Sequence, residues 1–355
     1  MSPNRSKAKR GSAGKPLEFL YLDQEAVLAA GVLDMGRAMK VVGEAQALFA
    51  LGQVREPYKT VLRPRDTAES ENEGRFNILA ASIGTPAQCV GMKWVASFPA
   101  NRSQGLPRAS ALIHLNCPRT GVPIAIMEGS LISAMRTGAM TGLGAGCLAP
   151  RNTRKAGVVG CGVQSRTQIL GLFTALPHLE EIALFGRRPS QAQEVADDCR
   201  RRWGAPVHVV PSIEAAFADA DVALTITTAN ELLMLARHIK PGALTVQLSG
   251  HECEFAVIEQ CSKIVTDDWG TVKHRGIMTP ALMYQRGLLL DRDIYANLGE
   301  LLQGAKPGRE GDERIHYCHM GMGLDDVALA YALYETACRK KLGIRLPLWQ
   351  EPLWY

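Results

Sequence analysis

The regular alternation of short apolar runs with amphipathic stretches after Lys155 is the feature that most constrains the fold of this chain. Stretches such as QILGLFTAL and SQAQEVADDCRRRW separate the runs KAGVVG, EIALFG, PVHVV, VALTIT, LTVQLSG and KIVTDD. Each stretch has the length of a helix that crosses from one strand to the next and covers a face of the sheet. The sequence therefore predicts a doubly wound parallel sheet of Rossmann type, complete by about residue 270.

The segments on either side of this region predict a second, α+β domain. The runs LEFLYLD, FNILAASIG, CVGMKWVAS, ASALIHLN and GVPIAIMEG are typical of strands, and successive strands without intervening helices indicate an antiparallel or mixed sheet. SLISAMRTGAMTGLGAGCLA has helical length with Ser130 available as N-cap, and VLDMGRAMKVVGEAQALFALG and GMGLDDVALAYALYETACRKKLG also predict helices. We expect residues 17–133 and 320–355 to form one domain and residues 134–319 the Rossmann domain.

The length and composition of the chain are typical of a globular protein. The 355 residues allow two domains, and 46% hydrophobic and 21% charged residues exclude disordered and fibrous classes. No run of eighteen apolar residues is present, and the first sixteen residues lack the apolar stretch of a secretory signal, so we expect a cytoplasmic protein. Those residues carry five bases and no acid, which accounts for the net charge of +5 and predicts a disordered leader. Contact of this leader with nucleic acid or a membrane is the minor alternative.

The cysteines and histidines do not predict a metal site. The nine cysteines are scattered, without a CxxC pair, which favours reduced thiols over disulfides or a zinc ribbon. His316, Cys318 and His319 cluster, but ligands so close in sequence rarely complete a site without distant partners. We therefore expect no metal.

The turn after the first run of the parallel region predicts a dinucleotide site. Gly160, Gly162, Val163, Gln164 and Ser165 form a GxGxxS pattern that follows an apolar strand and opens a helix. The first glycine permits a tight turn, the second lets a pyrophosphate approach the backbone, and the helix N-terminus supplies unpaired N–H groups. A plain strand-to-helix turn is the alternative.

The end of the second strand of this region favours NADP over NAD. Arg187, Arg188 and Ser190 occupy the position where an acid would hold the ribose hydroxyls in an NAD enzyme. Two guanidinium groups and a hydroxyl suit a 2′-phosphate, whereas a solvated basic turn is the alternative, and NAD remains possible. Thr227, which ends VALTIT, is a further candidate cofactor-binding residue.

Three basic residues in apolar surroundings predict a site for an anionic substrate. They are Lys59 in PYKTV, Lys93 in GMKWVAS and Arg136 in SLISAMRTGA. A buried charge is costly unless an opposite charge meets it, but alternation along a strand also permits Lys59 and Lys93 to face solvent. Candidate acids or bases, each with a helix cap or a surface charge as the alternative, are Glu128, Glu252, Asp325 and Asp326.

Several motifs together resemble the ornithine cyclodeaminase and μ-crystallin family. They are GMKWVAS, RASALIHLNCPRTGVPIAIMEGSLISAMRTGA, VVGCGVQS, VTDDW, LGELLQGAKPGRE and HMGMGLDDVALAYALYETA, and they span nearly all of the chain after the leader. MEGSLISAMRT, DDW, PGREGDERI and MGM are most similar to the branch that forms 2,3-diaminopropionate for siderophore and antibiotic pathways.

The resemblance implies a homodimer in which both chain ends build the substrate and dimerisation domain. It also implies that Lys93 and Arg136 hold the amino-acid carboxylate and assist proton transfer, that Lys59 replaces an arginine at the substrate, and that Asp326 lies near nicotinamide or substrate. Glu252 stands where the family has a catalytic Asp. The Arg187–Arg188 turn is a second departure, because the comparable relatives are NAD enzymes with an acid there.

The activity implied by the resemblance is an NAD(P)-dependent dehydrogenation of a secondary amine. N-(2-amino-2-carboxyethyl)-L-glutamate would be oxidised to an imine, which water converts to L-2,3-diaminopropionate and 2-oxoglutarate, with Lys93, Glu252 and Asp326 as catalytic residues. The alternatives are an ornithine or lysine cyclodeaminase, a ketimine reductase, and a cofactor-binding protein without turnover.

Overall fold

The computed structural model describes residues 15–64, 74–84, 88–229, 231–248 and 250–354. The predicted leader falls almost entirely outside the described residues. Within them, the chain builds two sheets with helices packed around and between them.

The first sheet is mixed and contains both ends of the described chain. Its strands are β1 Leu17–Leu22, β2 Val54–Arg55, β3 Thr60–Leu62, β4 Arg75–Ile83, β5 Cys89–Ser97, β6 Ala109–Asn116, β7 Pro123–Glu128 and β16 Ile344–Trp349. The order is β16-β1-β7-β6-β5-β4-β2, and β3 also pairs with β4. All pairs are antiparallel except β1–β7, as expected for strands that follow one another without crossover helices.

The second sheet is entirely parallel, which confirms the Rossmann-type prediction. Its strands are β8 Lys155–Val159, β9 Glu181–Phe185, β10 Val207–Val209, β11 Val222–Thr225, β12 Leu244–Gln247, β13 Lys263–Thr266, β14 Ala296–Asn297 and β15 Ile315–Cys318. The order is β10-β9-β8-β11-β12-β15-β13-β14. The chain leaves β8 towards one edge and returns to its other side at β11, and ligands of such sheets bind at this switch point.

The prediction that this sheet is complete by about residue 270 is wrong. β15 inserts between β12 and β13, so a strand from beyond residue 310 lies inside the sheet. All four residues of IHYC are buried, and one of them is the polar His316, which pairs with Thr245 Oγ1 at 2.9 Å. The segment therefore lacks the continuous apolar run that marks a buried strand in a sequence. The β15 segment forms a strand because it pairs with β12 on one side and β13 on the other, and not because of its local propensity.

Eleven α-helices accompany the two sheets in the described residues. They are α1 Gln24–Ala29, α2 Met35–Ala50, α3 Ser130–Leu148, α4 Ser165–Ala175, α5 Pro189–Trp203, α6 Ile213–Phe217, α7 Phe255–Glu259, α8 Trp269–Arg275, α9 Thr279–Gln285, α10 Leu298–Leu302 and α11 Gly323–Lys340. The long predicted helices α2, α3 and α11 are confirmed. None of the helices in the described ranges combines the length and apolar character that a bilayer crossing requires.

The N-terminus of α3 differs from the prediction in its cap. Ser130 is the first residue of the helix and not the N-cap, which is Gly129. The Glu128 carboxylate instead accepts hydrogen bonds from the backbone N–H groups of Ser130 at 2.5 Å and of Leu131 at 3.1 Å. A carboxylate before the helix satisfies two orphan donors and interacts favourably with the helix dipole. Glu128 therefore has a capping role.

Close backbone packing of α3 on α4 joins the two parts of the chain. A Cβ on Gly138 would lie 2.2 Å from the carbonyl oxygen of Thr167, and one on Gly171 would lie 2.1 Å from that of Gly138. Only glycine permits this approach, which fixes the part of α3 around Gly138 beside the first turns of α4. The result places Arg136 of α3 next to the predicted dinucleotide turn.

Candidate active site

A buried charge cluster joins two of the three basic residues predicted for the substrate, Lys93 and Arg136, to the candidate acid Asp326. Lys93 Nζ lies 2.5 Å from Asp326 Oδ2, and Arg136 Nε lies 3.2 Å from Asp326 Oδ1. Lys93 also donates to Ser133 Oγ at 2.9 Å. All three charged side chains are less than 10% exposed. Three distant elements, β5, α3 and α11, thus supply one cluster.

Strand register explains why Lys93 faces inward. Lys93 opposes Leu79 of β4 and Ile113 of β6, and both neighbours are buried on the same face of the sheet. Alternation along β5 left the direction of Lys93 open, and the pairing with Asp326 compensates its burial. Removing one partner of such a pair typically costs about 3–5 kcal/mol, because a charge is then left buried without compensation.

Burial shifts the protonation equilibria around this cluster. Burial, together with the positive charge of Arg136, lowers the pKa of Lys93 to about 8, although Asp326 opposes the shift. Burial raises the pKa of Asp325 to about 6, and this carboxylate accepts from Gln46 Nε2 at 2.7 Å. A lysine with a pKa near neutrality can exchange a proton under ordinary conditions, as a general acid or base requires.

Arg136 and Ser133 open onto a cavity of about 520 Å³ between the two sheets. The same cavity is lined by Gly162, Val163, Gln164 and Thr227, which belong to the predicted dinucleotide turn and to the segment that follows the adjacent strand. The structure therefore brings Arg136 and the predicted cofactor turn to one space, and Lys93 lies behind Ser133 of the cavity wall. Arg102 and Arg108, which no sequence pattern marked, also line it.

A second cavity of about 390 Å³ continues from this space along the parallel sheet. Its lining includes Gly160, Gly162, Thr227, Arg187 and Arg188. Gly160 has φ +124°, and a Cβ there would lie 2.6 Å from the carbonyl oxygen of Ile226. Nothing lies within 4 Å of the position of a Cβ on Gly162. A tight turn beside open space fits the pyrophosphate of a dinucleotide at the helix N-terminus.

Two residues of the predicted cofactor set lie differently. Ser165 is buried and donates to the carbonyl oxygen of Gly162 at 2.6 Å, so its hydroxyl closes the turn. Ser190 is exposed in the first turn of α5 and is not part of the described lining of either cavity. Arg188 donates to Gln191 Oε1 at 2.5 Å, which holds its guanidinium at the rim of the smaller cavity.

Glu252 is buried next to Thr227, a residue that lines both cavities. Its side chain is fully buried and accepts a hydrogen bond from Thr227 Oγ1. Its backbone carbonyl accepts from the N–H groups of Leu233 and Met234 at 2.8 and 2.9 Å. Thr227 lines both cavities, whereas the described linings do not include Glu252. The geometry places Glu252 behind Thr227, where it orients the hydroxyl of that residue.

Lys59 lies close to the charge cluster. Glu56 also lies beside the cluster, and the sequence analysis did not identify it. Burial and the positive charges of Arg275, Lys93 and Arg136 lower the pKa of Lys59 to about 7. Glu56 accepts from the backbone N–H of Gly323 at 2.5 Å and of Leu324 at 2.9 Å, so it caps the start of α11 that carries Asp326. No local pattern marks this role, because it depends on a contact more than 260 positions away.

His319 and Asp267 lie beside Arg136 and the loop before α11. His319 Nε2 lies 2.9 Å from Thr141 Oγ1, and burial lowers its pKa to about 3. Asp267 accepts from the N–H of Gly321 at 2.7 Å. A Cβ on Gly321, which has φ +81°, would lie 2.2 Å from Nη1 of Arg136. The loop before α11 therefore presses against the guanidinium and fixes its position.

Comparisons with known proteins agree with this geometry. The sequence model of the ornithine cyclodeaminase/mu-crystallin family matches residues 23–341. The chain is 33% identical to the alanine dehydrogenase of Archaeoglobus fulgidus over 335 residues, which cover 93% of this chain and 98% of that one. It is 28% identical to the N-((2S)-2-amino-2-carboxyethyl)-L-glutamate dehydrogenase of Staphylococcus aureus over 339 residues, covering 94% and 99%.

Solved structures give the same result. The Delta(1)-pyrroline-2-carboxylate reductase of Thermococcus litoralis, in complex with NADH and L-proline, aligns with a TM-score of 0.84 at 26% identity, covering 92% of this chain and 99% of that chain. An archaeal alanine dehydrogenase dimer with bound NAD aligns with a TM-score of 0.83 at 30% identity, covering 94% and 100%. Sequence and fold agree over nearly the whole chain, which belongs to the ornithine cyclodeaminase/mu-crystallin family.

Proposed function

We propose that this protein is a nicotinamide-dependent oxidoreductase that acts on a carbon–nitrogen bond of an amino acid. The observation that carries the proposal is the buried Lys93–Asp326–Arg136 cluster, which adjoins the same cavity as the Gly162–Gln164 turn. A cationic pair beside a dinucleotide turn suits a substrate whose carboxylate lies next to the carbon that is oxidised. Relatives with the names of dehydrogenases and reductases support this class of reaction.

Each residue of the cluster has a separable role in this proposal. Arg136, which lines the cavity, binds the substrate carboxylate, and Lys93 exchanges a proton with the substrate nitrogen or with water. Asp326 holds both cations in place, because one oxygen meets Lys93 and the other meets Arg136. Gly160, Gly162 and Thr227 would hold the dinucleotide, which accepts or supplies the hydride when bound.

The substrate that we propose is N-(2-amino-2-carboxyethyl)-L-glutamate. Oxidation at the glutamate α-carbon gives an imine, and attack of water on it yields L-2,3-diaminopropionate and 2-oxoglutarate, the chemistry that precedes siderophore or related natural-product synthesis. The similarity to the Staphylococcus aureus dehydrogenase supports this choice. Reduction of a cyclic imino acid is the second candidate, favoured by the similarity in fold to the Thermococcus litoralis reductase.

The test mixes the purified protein with N-(2-amino-2-carboxyethyl)-L-glutamate and either NAD or NADP. We expect absorbance of reduced nicotinamide to appear together with equimolar 2,3-diaminopropionate. Consumption of reduced cofactor with Δ1-pyrroline-2-carboxylate, and no oxidation of the first substrate, would select the second candidate. Ammonia release from ornithine or lysine without net change in the cofactor would indicate a cyclodeaminase.

We further propose that NADP is the preferred cofactor, although the solved relatives described above hold NAD or NADH. Arg187 and Arg188 line the smaller cavity and are exposed at the end of β9.

Replacing both Arg187 and Arg188 with Gln is expected to lower kcat/KM for NADP by about 10- to 100-fold and to leave the value for NAD within about twofold. Steady-state kinetics with both cofactors measure this effect, and the double variant Arg200→Gln/Arg201→Gln in α5 is the matched control. Equal efficiency of the wild type with NAD would contradict the preference.

The pH dependence of oxidation distinguishes two roles of Lys93. Its pKa is lowered to about 8, so the neutral amine predominates above that pH and the ammonium below it. If Lys93 accepts the substrate proton, kcat/KM for oxidation rises with pH and levels off above about 8, because this ratio reports the free enzyme. If Lys93 only anchors the carboxylate, kcat stays level and KM rises instead. We expect the first profile, measured from pH 6 to 10 at constant ionic strength.

We also propose a homodimer with the first sheet at the interface. The exposed face of β16, with Ile344, Leu346 and Leu348, lies at the edge of this sheet beside β1. The archaeal alanine dehydrogenase structure is that of a dimer, which supports the proposal. In this arrangement, the division into residues 17–133 with 320–355 and residues 134–319 separates substrate binding and dimerisation from cofactor binding. Light scattering of the purified protein measures the mass directly.

A further inference from the structure

The two cavities of the candidate site meet at a junction that contains one charged residue. The described residues that line both the cavity of about 520 Å³ and the cavity of about 390 Å³ are Arg102, Gly162, Ile226, Thr227 and Thr228. The shared lining marks the place where the two cavities adjoin. Arg102 supplies a positive charge there, whereas the other four residues are a glycine, an isoleucine and two threonines.

Arg102 comes from a different part of the chain than its neighbours at this junction. It lies in the 3₁₀ turn Pro99–Gln104, within the loop that connects β5 to β6. The other described residues that line the smaller cavity all come from Val159 or later, and so belong to the parallel sheet and its connections. Among the described residues, the first sheet thus contributes one side chain to the wall of the smaller cavity, and that side chain is cationic.

Hydrogen bonds between backbone groups hold the β5–β6 loop in shape. The N–H of Phe98 donates to the carbonyl oxygen of Arg108 at 2.7 Å, and the N–H of Leu106 donates to that of Asn101 at 3.0 Å. Neither bond involves the side chain of Arg102. The loop therefore places Arg102 at the junction by its backbone, and a change of this side chain leaves both bonds in place.

The junction coincides with the expected position of a pyrophosphate. Arg187 and Arg188, the residues proposed for the 2′-phosphate, line the smaller cavity, and Arg136, proposed for the substrate, lines the larger one. Gly162 lies between them before the N-terminus of α4, with nothing within 4 Å of the position of a Cβ. In a dinucleotide, the pyrophosphate joins the adenosine to the nicotinamide riboside. A dinucleotide that spans both cavities therefore has its pyrophosphate at the junction.

We propose that Arg102 binds the pyrophosphate of the dinucleotide, so that the first sheet takes part in cofactor binding. A guanidinium group forms charge-assisted hydrogen bonds to phosphate oxygens and can donate two of them in parallel. The inference rests on the proposed function, because it takes a nicotinamide dinucleotide as the ligand. It differs from the role of Arg187 and Arg188, which concerns a phosphate that only NADP carries.

Three ligands test this assignment without turnover. NADPH and NADH both contain the pyrophosphate, whereas adenosine 2′-phosphate lacks it. Binding of NADPH and NADH is measured by titration of nicotinamide fluorescence, and binding of adenosine 2′-phosphate by displacement of NADPH, all at fixed ionic strength. Arg102→Gln is expected to weaken NADPH and NADH by the same factor, about 10- to 100-fold, and to leave adenosine 2′-phosphate within about twofold. Arg102→Lys keeps the charge without the planar fork, and its affinities are expected to lie between the two.

The control variant is Arg119→Gln, which removes an exposed arginine from the turn between β6 and β7. Arg119 is not part of the described lining of either cavity, so all three affinities are expected to stay unchanged. Arg102 is itself exposed, and its variants are expected to keep the unfolding temperature of the wild type.

Three results for Arg102→Gln would overturn the assignment. They are unchanged affinity for both dinucleotides, a loss confined to NADPH, and an equal loss for adenosine 2′-phosphate. Absence of dinucleotide binding by the wild type would overturn it together with the cofactor proposal. Equal weakening of NADPH and NADH in a protein that oxidises no amino acid would support the assignment and refute only the proposed reaction.

Discussion

Replacing Lys93 with Met is expected to lower kcat by at least about 10³-fold and to leave the dissociation constant of NADP unchanged. Lys93 is the buried group with a lowered pKa that contacts both Ser133 at the cavity wall and Asp326. Methionine fills a similar volume without a proton to exchange. Single-turnover kinetics report the chemical step, and calorimetric titration with NADP reports the cofactor site.

Two further variants separate chemistry from folding. Lys93→Arg keeps the charge beside Asp326 but stays protonated at all accessible pH values, so it is expected to fold and to remain slow. Lys155→Met removes a lysine from β8 whose partner, Glu181 at 2.9 Å, is on the neighbouring strand, and is expected to retain turnover. Turnover by Lys93→Met within tenfold of the wild type would remove Lys93 from the proposed mechanism.

Replacing Arg136 gives the second large effect, and the two obvious substitutions should differ. Arg136→Met leaves Asp325 and Asp326 buried with Lys93 as their remaining cation, so we expect a loss of about 3–5 kcal/mol in the free energy of unfolding. Arg136→Lys keeps the charge but loses the planar fork that binds a carboxylate with two parallel hydrogen bonds. We expect it to fold and to raise KM for the amino acid by about 10- to 100-fold.

Chemical denaturation and steady-state kinetics together measure these outcomes. The matched control is Arg166→Lys in α4, where the arginine pairs with Asp198 at 2.7 Å on the surface, and it should change neither stability nor KM noticeably. An unchanged KM with a reduced kcat in Arg136→Lys would show that Arg136 acts on the chemical step and does not anchor the carboxylate.

Much of the fold follows from local patterns. The strands β8, β9 and β11 and the helices α3, α5 and α11 lie where apolar periodicity predicts them, because burial of one face dictates the spacing of apolar residues. The strand β15 and the cap of α3 were not predicted correctly. Both depend on partners elsewhere in the chain, namely two flanking strands and the Glu128 carboxylate, for which the sequence of the element carries no signal.

In the candidate site too, some features follow from the sequence and others only from the structure. The residue types and sequence neighbourhoods of Lys93, Arg136 and the Gly160–Ser165 turn marked them as candidates. The structure brings Arg136 and the turn to adjoining cavities and places Lys93 against Ser133 of the cavity wall. Glu252, expected among the catalytic residues, contacts Thr227, which lines both cavities.

The sequence by itself determined the class of fold and marked the Gly160–Ser165 turn and the candidate substrate residues by their chemical types. These features depend on periodicity and on residues adjacent in the chain. Only the tertiary structure decided that Lys93 faces inward and that Asp326, 233 positions later, lies between it and Arg136. The physical reason is that a strand can present a lysine to either side, and the choice depends on which side offers a buried counter-charge.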